Sequence, residues 1–382
     1  MLPRADSRSD DDHRMKEEAV PNRREFFRTV AGAAAGLVVT DRGLAGVGLR
    51  PYQTGPAKRR EVFVGSRRAK VVDVHCHCVI PEAAEVVKGT PLADAARGGG
   101  ANVLGPQRLE VMDRQGVDVQ ALSINAYWWY AADRDLASRI VRAQNEGLAT
   151  WVAAHPDRFV ALASVALQYP DLAAEQLEHA VKQMGMRGVS IGGHVKGEDL
   201  SLPKFDPFWA KAAELGVLVV MHPQSGDNIA REGALGGRGD LGNIIGNPLE
   251  TTVFLSRLIF DGTLDRFPGL TIFGPHGGGY LPSYLGRTDV ACDVRANANC
   301  ANKRRPRDYF KREIFIDTMV FSEEGLRHLV AEVGVSQVLY GTDVPFNWPV
   351  TVDLVLNAPF LSDADKAAIL GGNAAKVLRI PS

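Results

Sequence analysis

The chain has 382 residues, 45% of them hydrophobic and 23% charged, with a formal net charge of −1. That apolar content supports a large core and excludes a disordered chain. The near-neutral balance gives no electrostatic pull toward nucleic acid or anionic lipid. No apolar run reaches the roughly 18–20 residues of a membrane span.

In chain order, residues 1–20 are polar, and Asn22-Arg23-Arg24-Glu25-Phe26-Phe27-Arg28 then precedes the apolar stretch Thr29–Val39. A basic pair ahead of a short Ala/Gly-rich apolar segment is the layout of an export signal, and this one resembles a twin-arginine signal. Residues 1–50 are therefore expected to be a twin-arginine-type signal segment. It implies a periplasmic or extracellular destination, with the cytoplasm as the alternative should the segment serve otherwise. Residues 51–69 read as a linker or covering arm, and 70–382 as one folded domain.

From residue 70 onward short apolar runs alternate with helical patterns. The runs Val71–His75, Gln120–Ile124, Phe159–Val165, Arg187–Ile191, Val217–Met221, Leu270–Gly274, Glu313–Asp317 and Gln337–Gly341 make eight candidate strands. Several lack period-two alternation, as strands buried on both faces do. Helical patterns cover Arg108–Gln115, Arg134–His155, Leu172–Met184, Pro207–Leu215, Thr251–Arg266, Ser322–Val333 and Asp363–Leu370. Asp171, Asp206, Ser322 and Ser362 mark helix starts, and Gly116, Gly216 and Gly334 mark stops. Eight strand–helix units predict an α/β fold, a closed (β/α)8 TIM barrel, with an open doubly wound sheet as the alternative. Two polar inserts interrupt the pattern. Residues 223–248 are Gly-rich and read as a lid or pocket wall, and 288–308 as a surface or subunit-contact loop.

The metal-capable side chains fall on this frame in one pattern. His75 and His77 end the first strand and share a face, because residues i and i+2 of a strand point the same way. His222 follows the fifth strand, His276 the sixth and Asp343 the eighth. All lie at strand C-termini, the face where barrel enzymes build their sites. Three imidazoles and one carboxylate with room for water suit Zn²⁺, with Mn²⁺ or Fe²⁺ as alternatives, one ion per subunit. Cys76 and Cys78 alternate with the histidines and face the other side, as small core residues. Cys292 and Cys300 either pair across a loop or stay free.

These residues carry a resemblance. His75-x-His77, Met112-Asp113-Arg114-Gln115-Gly116-Val117, His222-Pro223, His276-Gly277-Gly278-Gly279, Gly341-Thr342-Asp343 and Gly372-Asn373-Ala374-Ala375-Lys376 are similar to the motifs of the amidohydrolase superfamily. The branch is the amidohydrolase-related one, which holds the aminocarboxymuconate-semialdehyde and aromatic-acid decarboxylases. The resemblance spans residues 70–380. It implies metal ligands at His75, His77, His222 and Asp343 and a catalytic His276. It also implies a homodimer in which Arg287 reaches a neighbouring subunit's site to hold a substrate carboxylate. Arg108 stands where the family places basic residues. Independently of the resemblance, a carboxylate that binds an ion through one oxygen can shuttle a proton through the other, so Asp343 is expected to be catalytic as well.

Around that centre, Asn125, Tyr127, Trp128, Trp129 and Tyr130 follow the second strand and either stack on an unsaturated ring or pack under a loop. His194 follows the fourth strand and either contacts substrate or is structural. Phe346, Asn347 and Trp348 follow Asp343 and line the mouth. The expected function is a metal-dependent decarboxylase of an unsaturated or aromatic carboxylic acid, its partner a small-molecule carboxylate. The alternative is a metal-dependent hydrolase of a lactone, amide or cyclic ester. The ligands serve both chemistries, so the substrate pocket decides.

Overall fold

The computed structural model describes residues 59–93, 103–124 and 129–381. The signal segment at 1–50 lies outside the described residues, as do Asn125, Tyr127 and Trp128.

Eight parallel strands form one sheet: β1 (Val72–Cys78), β2 (Val119–Ile124), β3 (Phe159–Ala163), β4 (Gly188–Gly192), β5 (Leu218–His222), β6 (Thr271–Gly274), β7 (Ile314–Asp317) and β8 (Val338–Leu339). They neighbour one another in chain order. Each overlaps a run expected from the sequence. The two ends of the sheet meet through backbone bonds. Val74 N–H donates to Tyr340 O at 3.1 Å, Asp343 N–H to His75 O at 2.7 Å, and His77 N–H to Val344 O at 2.7 Å. The sheet is therefore the closed barrel, and the open doubly wound alternative is set aside.

Two apolar layers follow from strand alternation. Val72, Val74, Val119, Ala121, Leu162, Leu218, Val220, Phe273 and Leu339 meet in one cluster drawn from six strands, with Ala374 and Leu378 from the chain's end. This is the barrel interior. Cys76, Cys78, Leu122, Val189, Val219 and Ile316 face the other way and pack with helix residues such as Leu177, Phe208 and Leu258. The cysteines are thus buried core residues, as expected.

The outer helices are α1 (Pro106–Gln115), α2 (Arg134–Ala154), α3 (Pro170–Met184), α4 (Asp206–Leu215), α5 (Asn247–Phe260), α6 (Leu285–Val294) and α7 (Glu323–Val333). Ser322 and Ser362 cap their helices through side-chain oxygens. Asp171 does not cap. Pro170 occupies the first turn of α3, and Asp171 pairs instead with Arg134 at 2.6 and 3.1 Å. Asp206 opens α4 without a capping bond. The helix expected over Thr251–Arg266 is broken between α5 and the short turn Thr263–Arg266.

Two peripheral features hold the frame. Residues 59–69 fold onto the barrel as a small hairpin, with Val62, Val64 and Ala69 buried. Asp118 anchors it, pairing with Arg68 at 2.6 Å and accepting Val71 N–H at 2.7 Å. Cys292, at the end of α6, and Cys300 form a disulfide with Cα atoms 6.0 Å apart. Beyond it, Lys303 N–H donates to Asp265 and Arg307 pairs with Asp289.

Candidate metal centre

Strand β1 delivers two ligands because it contains a bulge. Its register against β2 slips between Asp73 and Cys76, three residues on β1 spanning two on β2. A bulge re-aims the side chains beyond it. Val72 and Val74 line the apolar interior below the slip, and His75 and His77 take over that face above it. His222 ends β5. Asp343 lies past β8 with φ of 57°, a left-handed backbone that a non-glycine residue adopts at a cost, and such strain concentrates at functional sites. Gly341 makes the approach possible: a Cβ there would stand 2.8 Å from His75 Cβ and 3.1 Å from Asp317 Cβ.

The structure brings His75, His77, His222 and Asp343 together, all buried, with one donor atom from each within 4.8 Å of the others. Asp343 Oδ1 lies 3.1 Å from His75 Nε2, 3.0 Å from His77 Nε2 and 3.8 Å from His222 Nε2. Two tetrahedral ligands on an ion ~2.1 Å away stand about 3.4 Å apart, so the spacing fits.

The other ring nitrogens set the tautomers. His222 Nδ1–H donates to Pro223 O at 3.0 Å, since a carbonyl only accepts. His77 Nδ1–H donates to Ser123 Oγ at 2.8 Å, because that hydroxyl spends its own proton on Cys76 O. His75 Nδ1 bonds Asp317 Oδ2 at 2.7 Å. His77 and His222 therefore aim Nε2 lone pairs at Asp343 Oδ1, His75 turns the Nε2 that must lose its proton to an incoming ion to the same place, and all four of these buried atoms lack a hydrogen-bond partner. Facing lone pairs need a cation between them, and the donor set fits a divalent metal.

Electrostatics say the same. Burial alone would strip the proton from His75, but Asp343 and Asp317 outweigh it and hold this imidazole up at about 10. Burial pulls His222 down to about 4, and burial with His222 beside it keeps His77 well below its usual range. Burial opposes the charge on Asp343, yet the charge on His75 beside it outweighs burial and holds its carboxyl far below the ordinary range. The four donors by themselves hold one proton where an ion would bring its charge.

His276 stands beside the cluster. Its Nε2 is 3.7 Å from Asp343 Oδ2, the oxygen turned away from the tightest ligand contacts, and its backbone is left-handed at φ 56°. Phe346, 43% exposed, places its ring 6.0 Å from that of His77, at the mouth. Arg287 is exposed on α6 and makes no hydrogen bond or ion pair among the described residues, outside its own subunit's cluster. His194 is not among the four donors. Its Nδ1 accepts Gly197 N–H at 2.9 Å and its Nε2 faces Glu250 at 4.0 Å. Arg108 is buried behind β1 and donates to His77 O, bracing the strand.

Asp317 escaped the sequence reading. This fully buried carboxylate at the end of β7 holds His75 and also accepts Gly277 N–H at 2.7 Å and His276 N–H at 3.2 Å. Its signal was available: an acidic residue at the C-terminus of a barrel strand. Asp73 was passed over too. It bonds Thr342 Oγ1 at 2.7 Å and His75 N–H at 3.1 Å, clamping the barrel seam, and burial pushes its carboxyl up to about 6.

A parallel barrel carrying three imidazoles and a carboxylate at its C-terminal mouth defines a metal-dependent barrel enzyme. The chain belongs to the amidohydrolase family, whose model matches residues 72–380. The 2-amino-3-carboxymuconate-6-semialdehyde decarboxylase of Dictyostelium discoideum is 30% identical over 276 residues, covering 71% of this chain and 75% of the relative. The gamma-resorcylate decarboxylase of a Rhizobium species is 32% identical over 284 residues, covering 72% of this chain and 86% of the relative. A crystal structure of dihydroxybenzoic acid decarboxylase from a Polaromonas species holds manganese and the inhibitor 2-nitroresorcinol. It matches with a TM-score of 0.71 at 26% identity, covering 82% of this chain and 97% of that one.

Proposed function

We propose that this enzyme is a metal-dependent carboxy-lyase releasing CO₂ from an aromatic or unsaturated carboxylic acid. The observation that carries the reading is the division of labour at Asp343. Oδ1 faces His75 and His77 at 3.1 and 3.0 Å, and Oδ2 faces His276 Nε2 at 3.7 Å. A divalent ion held by His75, His77, His222 and Asp343 would supply Lewis-acid charge to a substrate oxygen. Decarboxylation needs a proton delivered to the carbon that loses CO₂. Asp343 Oδ2 and His276 are the two proton-carrying groups beside the cluster, placed to deliver and retain it. Phe346 offers a flat apolar wall at the mouth for a ring.

The donor set suits Zn²⁺, and the manganese in the Polaromonas relative puts Mn²⁺ beside it as the first metal to test. The functional unit is a homodimer in this reading. Arg287 is exposed on α6 among Tyr284, Val290 and Val294, which are 58%, 46% and 69% exposed, an apolar face suited to a second copy. Arg287 would then hold a carboxylate in the partner's site. Export follows from the signal at 1–50, and the Cys292–Cys300 disulfide is compatible with an oxidising compartment. Fusing residues 1–50 to a folded reporter tests that part by its location.

The deciding experiment is a panel of aromatic and unsaturated carboxylates, gamma-resorcylate first, with CO₂ detection and Asp343→Asn as control. Release of CO₂ that the variant abolishes supports the reading. Acid release from lactones or amides with no CO₂ from any carboxylate overturns it.

A further inference from the structure

The Gly-rich segment after His222 is pinned at three points. Glu250, in the first turn of α5 and 2% exposed, accepts three successive backbone N–H groups on one oxygen: Gln224 at 2.8 Å, Ser225 at 3.1 Å and Gly226 at 3.1 Å. Successive amides converging like this make an anion-binding concavity, and here the chain's own carboxylate fills it. Two residues of the turn carry positive φ, Ser225 at 149° and Gly226 at 73°.

Next comes a neck. A Cβ on Gly246 would stand 2.0 Å from Ser225 O, and one on Gly226 would stand 2.6 Å from Gly246 O. The chain thus leaves and re-enters at one place with bare backbone in contact, which closes residues 226–246 into a loop whose returning end is the helical turn Gly242–Gly246. The third pin is Tyr280, four residues past His276, whose hydroxyl donates to Ile244 O at 3.3 Å. The loop therefore hangs between the strand end carrying His222 and the segment carrying His276. It exposes Ile229, Ile244 and Ile245.

We propose that Glu250 is a positioning residue that holds this closed loop as the preformed wall of the substrate site. His222 does not depend on it. That ligand is paired with Gly192 of β4 and bonded to Pro223 O, so removing Glu250 leaves its position intact. The loss falls on the wall, which then samples open conformations, and on substrate affinity rather than metal.

The test compares Glu250→Ala, Glu250→Gln and Gly246→Ala in the full chain loaded with Mn²⁺. Trypsin can enter the loop at Arg231 and Arg238. In Glu250→Ala and Gly246→Ala, cleavage there should be at least about tenfold faster, tracking the open population. Both should keep full bound metal, and 2-nitroresorcinol binding and the KM for gamma-resorcylate should worsen about tenfold with kcat little changed. Glu250→Gln keeps an acceptor oxygen and should stay near the parent. Unchanged cleavage in both alanine variants overturns the proposal, as does metal loss in step with the rise in KM. The KM arm rests on the decarboxylase reading. If the parent enzyme neither binds nor turns over these two compounds, that reading fails, and the cleavage and metal results still decide the role of Glu250.

Discussion

His75 Nδ1 lies 2.7 Å from Asp317 Oδ2, so a metal ligand on the first barrel strand is oriented by a carboxylate on the seventh. The same carboxylate holds the backbone of His276 and Gly277, so one buried group sets two site histidines. Asp317→Asn keeps the shape but weakens the acceptor. Metal affinity should fall by about 10–100-fold, measured by competition with a chelator. An unchanged affinity would mean that His75 is held by packing alone.

His222 supplies one of four donors and has no other bond on its Nε2. His222→Ala should leave the purified protein with far less than one ion per subunit by elemental analysis. Full metal content in this variant would exclude the proposed ligand set. Asp343→Asn should lose about 10²–10⁴-fold in turnover, the typical weight of a proton-transfer group, even where metal is restored by excess ion.

The proton held by His75 makes metal uptake pH-dependent. Its imidazole is raised to about 10 and that of His222 lowered to about 4. Between those values an incoming ion must expel the His75 proton, so apparent affinity should rise about tenfold per pH unit. Below about 4 the dependence steepens as His222 protonates too. Without metal the signs are opposite for the two charged groups. Stability from the raised His75 is fully present below the ordinary 6.5 and lost as pH rises through 10. Stability from the depressed Asp343 is present above the ordinary 3.8 and lost as pH falls. Calorimetry in two buffers of different ionisation heat should show about one proton released per ion at neutral pH, and zero release would refute the scheme.

Arg287 can be tested for action across subunits. Arg287→Ala should raise the KM for a carboxylate substrate by about tenfold or more, as expected for a lost charged contact. Mixing it with Asp343→Asn subunits should recover activity, because each hybrid holds one site with an intact Asp343 and a partner's Arg287. No recovery on mixing would place the arginine in its own subunit's site or outside catalysis.

Much of this was legible before any fold was known. His75 and His77 announced themselves by spacing, and His222, His276 and Asp343 by following apolar runs. Asp317 did not stand out, because an acidic residue ending a strand is as ordinary as a helix start. Its role appears only when β7 lies two strands from β1 across the closing seam. His194 carried the same local signal as His222, and only the structure shows its ring against Gly197 and Glu250 and outside the four-donor set. Cys292 and Cys300 left pairing open, since eight residues of separation allow either outcome until the loop's path is known.

Covalent order and local periodicity determine the alternation of strand and helix and put five metal- or proton-handling groups at strand ends. Those are properties of neighbours along the chain, so the sequence alone decided them. The bulge that turns His75 inward, the Asp73 clamp on Thr342 and the His75–Asp317 pair, 242 residues apart, depend on contacts between distant segments. Barrel closure makes those contacts, and with them the ring orientations that turn three imidazole Nε2 atoms toward one carboxylate oxygen. The tertiary structure alone decided that the groups become a metal site.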